Sequence, residues 1–206
     1  MELTLKTRDK ILQIAEEEFA RIGYDALSMN DLVKKLNINK ATIYYHFEDK
    51  KSLYQEVIKN TMTQINHSIE TILEEDLDIS PKDKFRLFIH QLVNVFEERP
   101  TIVPLALREF ANFGENVDES ITPYMEIQNE FIKKAMEELN LKDKYKEVNV
   151  YSFFSLINGT IMNFYPIQMS QLPVGGDDKI KLNSKKSLEY IADFVADIIL
   201  DAICKE

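Results

Sequence analysis

The sequence is poor in the residues that build disulfide frameworks, metal clusters and tight turns. Cys204 is its only cysteine, so an internal disulfide is impossible and a cysteine-based metal cluster is excluded. Only 5 Gly and 6 Pro occur in 206 residues, and the good helix formers Ala, Leu, Glu and Lys are frequent. We therefore predict an all-α fold in a reducing, cytoplasmic setting.

Long apolar runs are also missing. No stretch of about 18 apolar residues is present, so we expect no membrane-spanning segment. The first ten residues, MELTLKTRDK, lack the apolar run of a signal peptide.

Positive charge is scarce overall, since the formal net charge is -10. Residues 1–51 nevertheless contain equal numbers of basic and acidic residues, and the rest of the chain carries the whole negative excess. Such asymmetry suggests two functions in one chain, because the local field decides whether a surface tolerates nucleic acid. The basic residues that cluster in the neutral segment are Lys34, Lys35, Lys40, Lys50 and Lys51.

The first predicted helix starts at Thr7, whose hydroxyl is suited to cap it. Apolar residues then recur at steps of three and four, at Ile11, Ala15, Phe19 and Ile22. We expect Glu16, Glu17 and Glu18, which lie between them, to form a solvated face. Gly23 is expected to end the helix in a left-handed conformation.

Two short helices and a tight turn follow. Ser28 begins the first of them with Asp31 three residues on, close to a capping box. Asn37 takes the turn position that requires positive φ, and Asn39 caps a helix from Lys40 to Phe47. A longer helix capped by Asp49 follows, so residues 1–50 are predicted to form a helix-turn-helix domain.

Residues 51–206 are predicted to form a larger helical domain for ligand binding and dimerisation. Ser80-Pro81 is a strong helix start, and Pro166 is expected to end a long apolar helix. The helices at about 145–165 and 184–204 have wide apolar stripes, and we predict that they form a homodimer interface. The stripe of the last helix is assigned to Leu188, Ile191, Ala192, Val195, Ile199 and Ala202.

The short helix after the turn is typical of an element that enters the major groove of DNA. Its apolar residues Ile43 and Phe47 are expected to pack inward. The expected exposed face comprises Lys40, Ala41, Thr42, Tyr44, Tyr45 and His46. Lys40 is suited to guanine, and Ala41 allows close approach of the backbone. A purely structural interpretation, with these aromatics covering a small core, explains each residue singly but not the set.

The segments FARIGYDALSMNDL and INKATIYYHFEDKKSLY resemble the DNA-binding domain of the TetR family of transcriptional regulators. The spacing Tyr44-x-x-Phe47-x-x-Lys50 is the most specific part of this resemblance. It covers about a quarter of the chain, and the rest agrees with that family in length and helical character. Two residues depart from the family's pattern, because Asn37 and Ala41 stand where glycine is more common.

The resemblance implies a role for each residue of the recognition element. Base contacts are implied for Lys40, Ala41 and Tyr45. Phosphate contacts are implied for Ser28, Thr42, Tyr44, His46 and Lys50. Together with the helix cap Asn39, these residues form the predicted DNA-binding site, and a palindromic double-stranded operator is the predicted partner.

The larger domain is rich in aromatic residues, since all but two of the 12 Phe follow residue 50. The resemblance implies a small-molecule site there, and apolar walls with a few polar groups agree with one. We assign this site to Phe96, Arg108, Phe110, Phe113, Tyr124, Phe153, Phe154, Asn158, Met162 and Tyr165. Arg108 would meet a carboxylate, whereas Glu109 would instead meet a cation. No cofactor and no metal site are expected, because His67 and His90 lack ligand spacing.

The sequence thus predicts a homodimeric, ligand-responsive regulator, most simply a repressor that a small apolar effector releases from its operator. The same architecture would serve an activator or a ligand-independent DNA-binding protein. An enzyme, or a helical interaction protein without DNA binding, is the remaining alternative. Against an enzyme, the sequence shows neither a nucleophile with its base nor a glycine-rich phosphate loop.

Overall fold

The computed structural model describes residues 2–74, 78–169 and 185–205, with side chains for 6–72, 78–164 and 189–205. The described residues form nine α-helices and no strand, which confirms the all-α prediction. The helices are α1 Glu2–Ile22, α2 Met29–Leu36, α3 Lys40–His46, α4 Lys50–Glu74, α5 Pro81–Glu98, α6 Ile102–Ala111, α7 Thr122–Glu138, α8 Val150–Met169 and α9 Lys185–Ile203. Short 3-10 turns cover Glu119–Ile121 and Asp143–Tyr145. None of the described helices is both long and apolar enough to cross a membrane.

The chain divides into two compact units. Unit 1 comprises Met1–Thr63 and Arg99–Tyr124, and unit 2 comprises Gln64–Glu98 and Met125–Glu206. This division differs from the predicted boundary at residue 50, because α6 and the turn after it belong to the same unit as the first three helices. Polar contacts from α6 to α1 and α4 account for its place there.

Unit 1 is built on α1, which packs against α2 and α6. Phe19 is fully buried, and its ring meets that of Tyr54 edge to face at a centroid distance of 4.7 Å. The predicted start at Thr7 was wrong, because α1 begins at Glu2 and Thr7 lies inside it. No Pro or Gly stands before Thr7 to break the helix there.

The predicted solvated face of α1 was wrong for two of its three glutamates. Glu17 is exposed, but Glu16 and Glu18 are each only 5% exposed. Glu16 accepts hydrogen bonds from the Arg99 guanidinium and, at 2.5 Å, from the Thr101 hydroxyl. The cations of Arg21 and Lys35 bind Glu18 in the same way. A buried carboxylate is tolerated when it is paired and hydrogen-bonded, and the sequence period alone does not reveal such partners.

Unit 2 has an apolar, aromatic interior. Phe88 and Phe131 bring α5 and α7 together with a centroid distance of 4.6 Å, and Phe85 meets Phe153 of α8 at 5.8 Å. α5 and α8 both pack on α9. The buried amides Asn66 and Gln128 satisfy each other, since Gln128 Nε2 donates to Asn66 Oδ1 at 3.0 Å.

The long apolar helix and the last helix differ in part from the predictions. α8 begins at Val150 and continues through Pro166 to Met169, so the predicted end at Pro166 was wrong. Proline removes a hydrogen bond one turn back without necessarily ending a helix. In α9 the predicted stripe is largely core, because Ile191, Val195 and Ile199 are at most 4% exposed.

A second apolar stripe of α9 remains exposed. Tyr190, Phe194 and Ile198 are four residues apart and are 61, 43 and 52% exposed. On α8, Tyr151 and Leu156 are exposed as well. The side chain of Leu188 lies outside the described residues, and Ala202 is exposed.

Candidate nucleic-acid interface

Local capping interactions build the helix-turn-helix in unit 1. Ser28 caps α2, accepting from the amide of Asp31 at 3.2 Å while its hydroxyl donates to Asp31 Oδ2 at 2.5 Å. This hydroxyl bond holds the pKa of the Asp31 carboxyl below its usual range. Asn37 ends α2 in the left-handed region, with φ 53° and ψ 46°. The predicted cap and the predicted positive φ are both confirmed.

Asn39 caps the recognition helix α3. Its Oδ1 accepts from the amide and from the hydroxyl of Thr42, both at 2.8 Å. Thr42 therefore uses its hydroxyl hydrogen inside the protein and offers only acceptor capacity outward. Its predicted contact with a phosphate, which requires a donor, needs this hydroxyl to rotate away from Asn39.

The outer face of α3 carries exposed side chains of the type that contacts bases. Tyr45 is 77% and Tyr44 42% exposed, and Lys40 and Ala41 are exposed beside them. The Lys40 ammonium lies 5.6 Å from the centroid of the Tyr44 ring. One helical surface thus presents a cation, a methyl group and two phenols, as the sequence predicted. Thr42 and His46, which were also predicted to be exposed there, are half-buried.

The inner face of α3 anchors it to unit 1. Ile43 and Phe47 are buried, as predicted, together with Leu32 of α2. The Arg8 guanidinium of α1 lies 5.3 Å from the Phe47 ring centroid, and Arg8 pairs with Glu56 of α4 at 2.5 Å. These contacts fix the recognition helix between α1 and the start of α4.

His46 and Lys50 flank the exposed face and are both partly buried. The ring of His46 meets that of Tyr45 edge to face at 5.1 Å. The Lys50 ammonium lies 4.3 Å from the centroid of the Tyr24 ring and donates to the carbonyl of Asp25 at 3.4 Å. Burial lowers the pKa of Lys50, and the nearby Asp25 opposes this shift.

One of the predicted surface lysines takes part in the structure of unit 1. Lys35 pairs with Glu18, which also binds Arg21, and these two cations lower the pKa of the Glu18 carboxyl from 4.5 to about 2. Lys35 thereby ties α2 to α1, and its charge is partly neutralised.

The predicted effector residues fall into both units. Phe96, Phe153, Asn158 and Met162 are buried in unit 2, where Phe154 is half-buried; the side chain of Tyr165 lies outside the described residues. Asn158 Nδ2 donates within its own helix, to the Phe154 carbonyl at 3.2 Å.

The members in unit 1 do not form an enclosed apolar wall. Phe110 is 59% and Phe113 95% exposed, and Tyr124 is half-buried. Arg108 donates to the carbonyls of Ala20 at 3.1 Å and Arg21 at 2.9 Å, so it binds the C-terminal end of α1. Its predicted role as partner of a ligand carboxylate would require these bonds to break.

Three residues next to Lys50 form a group that the sequence did not predict: Tyr24, Tyr54 and Glu109. The Tyr24 and Tyr54 rings lie 5.0 Å apart, and Tyr54 donates to Glu109 Oε1 at 2.5 Å. Burial and this bond raise the pKa of Tyr54 above its usual value. The only sequence signal was a tyrosine next to the glycine that ends α1. In the part of the chain with described side chains, no group of three or more His, Cys, Asp or Glu residues is placed to hold a metal ion.

Comparison with known proteins agrees with this geometry. The family described as bacterial regulatory proteins, tetR family, matches residues 11–57, which include α2, the turn and α3. IcaR, the HTH-type negative transcriptional regulator of the biofilm operon icaADBC in Staphylococcus aureus strain Newman, is 33% identical over 92 residues. These residues are 45% of this chain and 48% of IcaR, so the chain spans about half the length of the curated relatives it matches.

Solved structures extend the likeness of the fold to nearly the whole chain. A TetR family regulatory protein from Rhodococcus RHA1 has a TM-score of 0.73 at 14% identity, covering 98% of this chain and 99% of that one. The TetR family regulator PfmR from Thermus thermophilus has a TM-score of 0.65 at 23% identity, covering 93% and 97%. Residues 11–57 therefore match the DNA-binding segment of the tetR family, and the described helices share the fold of solved TetR family regulators.

Proposed function

We propose that this chain is a homodimeric repressor that binds a palindromic DNA operator through α3 and leaves it when a small, largely apolar molecule binds unit 2. The observation that carries the proposal is the exposed face of α3, where Lys40, Ala41, Tyr44 and Tyr45 stand on a helix narrow enough for the major groove. The similarity to the negative regulator IcaR favours repression over activation.

Base recognition falls to the first turn and the outer face of α3. Lys40 donates to guanine O6 or N7, and the Tyr45 ring packs on a thymine methyl. Ala41 brings the backbone close to the base edges. These contacts supply sequence preference, whereas contacts to phosphate fix the orientation of α3 on the duplex.

Phosphate contacts surround this face. Tyr44, His46 and Lys50 provide donors. The hydroxyls of Ser28 and Thr42, at the starts of α2 and α3, donate to phosphate only after they rotate away from Asp31 and Asn39. The positive ends of these helices add to the attraction. Because counterions leave the DNA when phosphates are neutralised, operator affinity falls steeply with salt.

The second stripe of α9, with the exposed residues of α8, provides the dimer interface. Tyr190, Phe194 and Ile198 form one continuous exposed row, and the Tyr190 and Phe194 rings stack at 5.7 Å. An exposed apolar row of this kind marks a contact surface. A two-fold dimer places two α3 helices on half-sites about 34–36 Å, or a multiple of that distance, apart.

The effector binds among the aromatic side chains of unit 2. Phe96, Phe153, Phe154 and Met162 supply apolar surface, and Asn158 supplies a polar group. The effector shifts the population away from the DNA-binding form only by its difference in affinity for the two forms, and a coupling of about 1–3 kcal/mol is ordinary.

The DNA-binding proposal is tested by selecting bound duplexes from a random pool and measuring their affinities for single variants. Lys50→Ala should weaken all sequences alike, whereas Lys40→Ala should cost about 1–3 kcal/mol and relax preference at one base position. Recovery of no enriched sequence, or unchanged affinity of both variants, would remove α3 as the recognition element.

The effector proposal is tested by a thermal-shift screen of apolar acids, amines and neutral aromatics, followed by release of bound operator. Phe154→Trp narrows the space in unit 2 and should abolish the thermal shift while leaving operator binding intact. Stabilising compounds that act equally on this variant would place the effector site elsewhere, and compounds that bind without changing DNA affinity would contradict effector control.

A further inference from the structure

The Lys50 side chain is held in place by Tyr24, which follows the end of α1. Its ammonium lies over the Tyr24 ring, 4.3 Å from the centroid, and reaches the Asp25 carbonyl at 3.4 Å. A lysine side chain otherwise samples many rotamers, and holding a donor in one geometry lowers the entropy lost when it binds. The ring face attracts the ammonium, and the hydrogens that are not donated to the Asp25 carbonyl stay available to a phosphate.

Tyr24 is itself fixed on two sides. Gly23, with φ +86°, ends α1 and turns the chain so that Tyr24 follows directly. The Tyr24 ring stacks against Phe19 at 6.0 Å and meets Tyr54 of α4 at 5.0 Å. Its position therefore depends on the end of α1 and on Tyr54.

α6 holds both of these supports through two consecutive residues. Arg108 donates to the carbonyls of Ala20 and Arg21 at the end of α1. A Cβ added to Gly23 would lie 3.2 Å from a nitrogen of the Arg108 guanidinium. Glu109 is buried, and its Oε1 accepts from the Tyr54 hydroxyl at 2.5 Å.

The turn after α6 adds a second connection to α4. Asn116 Nδ2 donates to Glu109 Oε1 at 3.3 Å, and Gln55 Nε2 donates to the Asn116 carbonyl at 2.6 Å. The Gln55 amide also accepts from the amide of Asp118 at 3.2 Å. Thus α6 and the turn after it bind both the end of α1, which precedes Tyr24, and the part of α4 that carries Tyr54.

We propose that Tyr24 is a positioning residue that presents the Lys50 ammonium to a DNA phosphate, and that α6 sets its position through Arg108 and through the Glu109–Tyr54 hydrogen bond. This proposal rests on the proposed DNA binding, because it assigns the support of one of its phosphate contacts. In consequence, a displacement of α6 changes operator affinity at Lys50 without any change in the residues that face bases.

The test compares Tyr24→Leu with Tyr24→Phe, each in the native and in the Lys50→Ala background, by operator affinity and its salt dependence. Tyr24→Leu should lower affinity about threefold to tenfold and make the salt slope shallower, toward that of Lys50→Ala, which loses about 0.9 for one phosphate contact. Tyr24→Phe keeps the ring face and should restore both. In the Lys50→Ala background, Tyr24→Leu should have almost no further effect.

The two proposals fail in different ways. If Lys50→Ala itself leaves affinity and salt slope unchanged, the phosphate contact is absent and the DNA-binding assignment of Lys50 fails. If Lys50→Ala weakens binding but Tyr24→Leu weakens it equally in both backgrounds, Tyr24 acts on the fold alone and the positioning proposal is overturned.

The contribution of α6 is measured on the Lys50 side chain by nuclear magnetic resonance. In the native protein the ε-methylene protons of Lys50 should be shifted upfield by the Tyr24 ring and should show contacts to its protons, a measurement that needs no variant. Tyr54→Phe and Glu109→Leu, which both remove the hydrogen bond between these residues, should each reduce this upfield shift and lower operator affinity only when Lys50 is present. If the Lys50 ε-methylene signal of the native protein is not shifted upfield, Tyr24 does not position Lys50. If neither variant changes this signal, α6 does not set the position of Tyr24.

Discussion

The two units differ in the contacts that fix their helices inside the protein. In unit 1, buried or half-buried polar side chains connect helices distant in sequence, as Glu16 does with Arg99 and Glu109 with Tyr54. In unit 2 the buried contacts are mainly Phe pairs and aliphatic side chains, with Asn66 and Gln128 as a buried polar pair, and the ion pairs between α5 and α9 are partly exposed. Hydrogen bonds are directional and apolar packing is not, so unit 1 gains a defined geometry and unit 2 gains tolerance of rearrangement. This contrast agrees with the proposed roles, in which unit 1 positions donors for DNA and unit 2 accommodates a ligand.

The largest expected effect is a loss of stability on substitution of Val195, on the buried side of α9. Its neighbour Phe194 lies on the exposed side of the helix and provides the comparison. Val195→Asp places a carboxylate in the apolar interior of unit 2, where an unpaired charge costs several kcal/mol, and should unfold that unit. Phe194→Asp changes an exposed position and should leave the helical content intact while splitting the proposed dimer.

Circular dichroism combined with light scattering distinguishes these outcomes. A dimeric Phe194→Asp variant would exclude the exposed stripe of α9 as the interface. A folded Val195→Asp variant would contradict the buried placement of that residue.

The next effect tests whether a buried ion pair of unit 1 contributes more to stability than a partly exposed ion pair of unit 2. Arg99→Met leaves Glu16 buried with the Thr101 hydroxyl as its remaining partner, and should cost about 3 kcal/mol of unfolding free energy. The matched control is Arg86→Met in unit 2. The side chains of its pair with Asp197 are 37 and 53% exposed, so the pair should contribute less than about 1 kcal/mol. If urea titrations show equal losses of unfolding free energy for the two variants, the buried pair is no more stabilising than the exposed one.

The sequence predicted well those features that depend on nearby residues. The caps Ser28 and Asn39, the positive φ of Asn37 and the inward packing of Ile43 and Phe47 are all set within about four residues, and the structure confirms them. Helical period, cap chemistry and left-handed turns are local, so the pattern alone is sufficient.

The features that escaped prediction depend on partners distant in sequence. Glu16 looked solvated because its cation, Arg99, is 83 residues away. On α9 two apolar stripes were present, and the sequence alone did not show which one faces the core. Arg108 looked suited to a ligand for the same reason, since the carbonyls that it binds lie 87 and 88 residues earlier. Tertiary contacts decide such cases, and one sequence without its fold does not contain them explicitly.

A smaller effect is expected on the pH dependence of protein stability, through the carboxyl group of Glu18. Arg21 and Lys35 lower the pKa of its carboxyl in the folded protein to about 2 from 4.5, so the folded state binds this proton more weakly than the unfolded state. The stabilisation is therefore complete above about pH 4.5 and is lost as the pH falls toward 2. Glu18→Gln should be less stable than the native protein at neutral pH and should lose less stability between pH 4.5 and 2.

The exposed neighbour Glu17 supplies the control for this measurement. Glu17→Gln should leave the acid part of the stability curve unchanged, because the Glu17 carboxylate makes only a 3.4 Å contact with Gln13. Thermal unfolding followed from pH 7 to pH 2 gives the curves. A Glu18→Gln curve parallel to that of the native protein would show that Arg21 and Lys35 do not hold this carboxylate in solution.

The smallest effect concerns the turn that orients the recognition helix. Asn37 has φ 53°. This left-handed conformation costs about 1–2 kcal/mol for residues other than Gly, Asn and Asp. Asn37→Ala should therefore destabilise the protein by about 1 kcal/mol, whereas Asn37→Gly should change stability by only a few tenths. Asn112 also ends a helix, but at φ -98°, so Asn112→Ala should cost less than about 0.5 kcal/mol. Because the left-handed turn sets the angle between α2 and α3, Asn37→Ala should weaken operator binding as well, and Asn112→Ala should not. Equal losses for Ala at positions 37 and 112 would mean that the backbone of the turn is not what distinguishes the two sites.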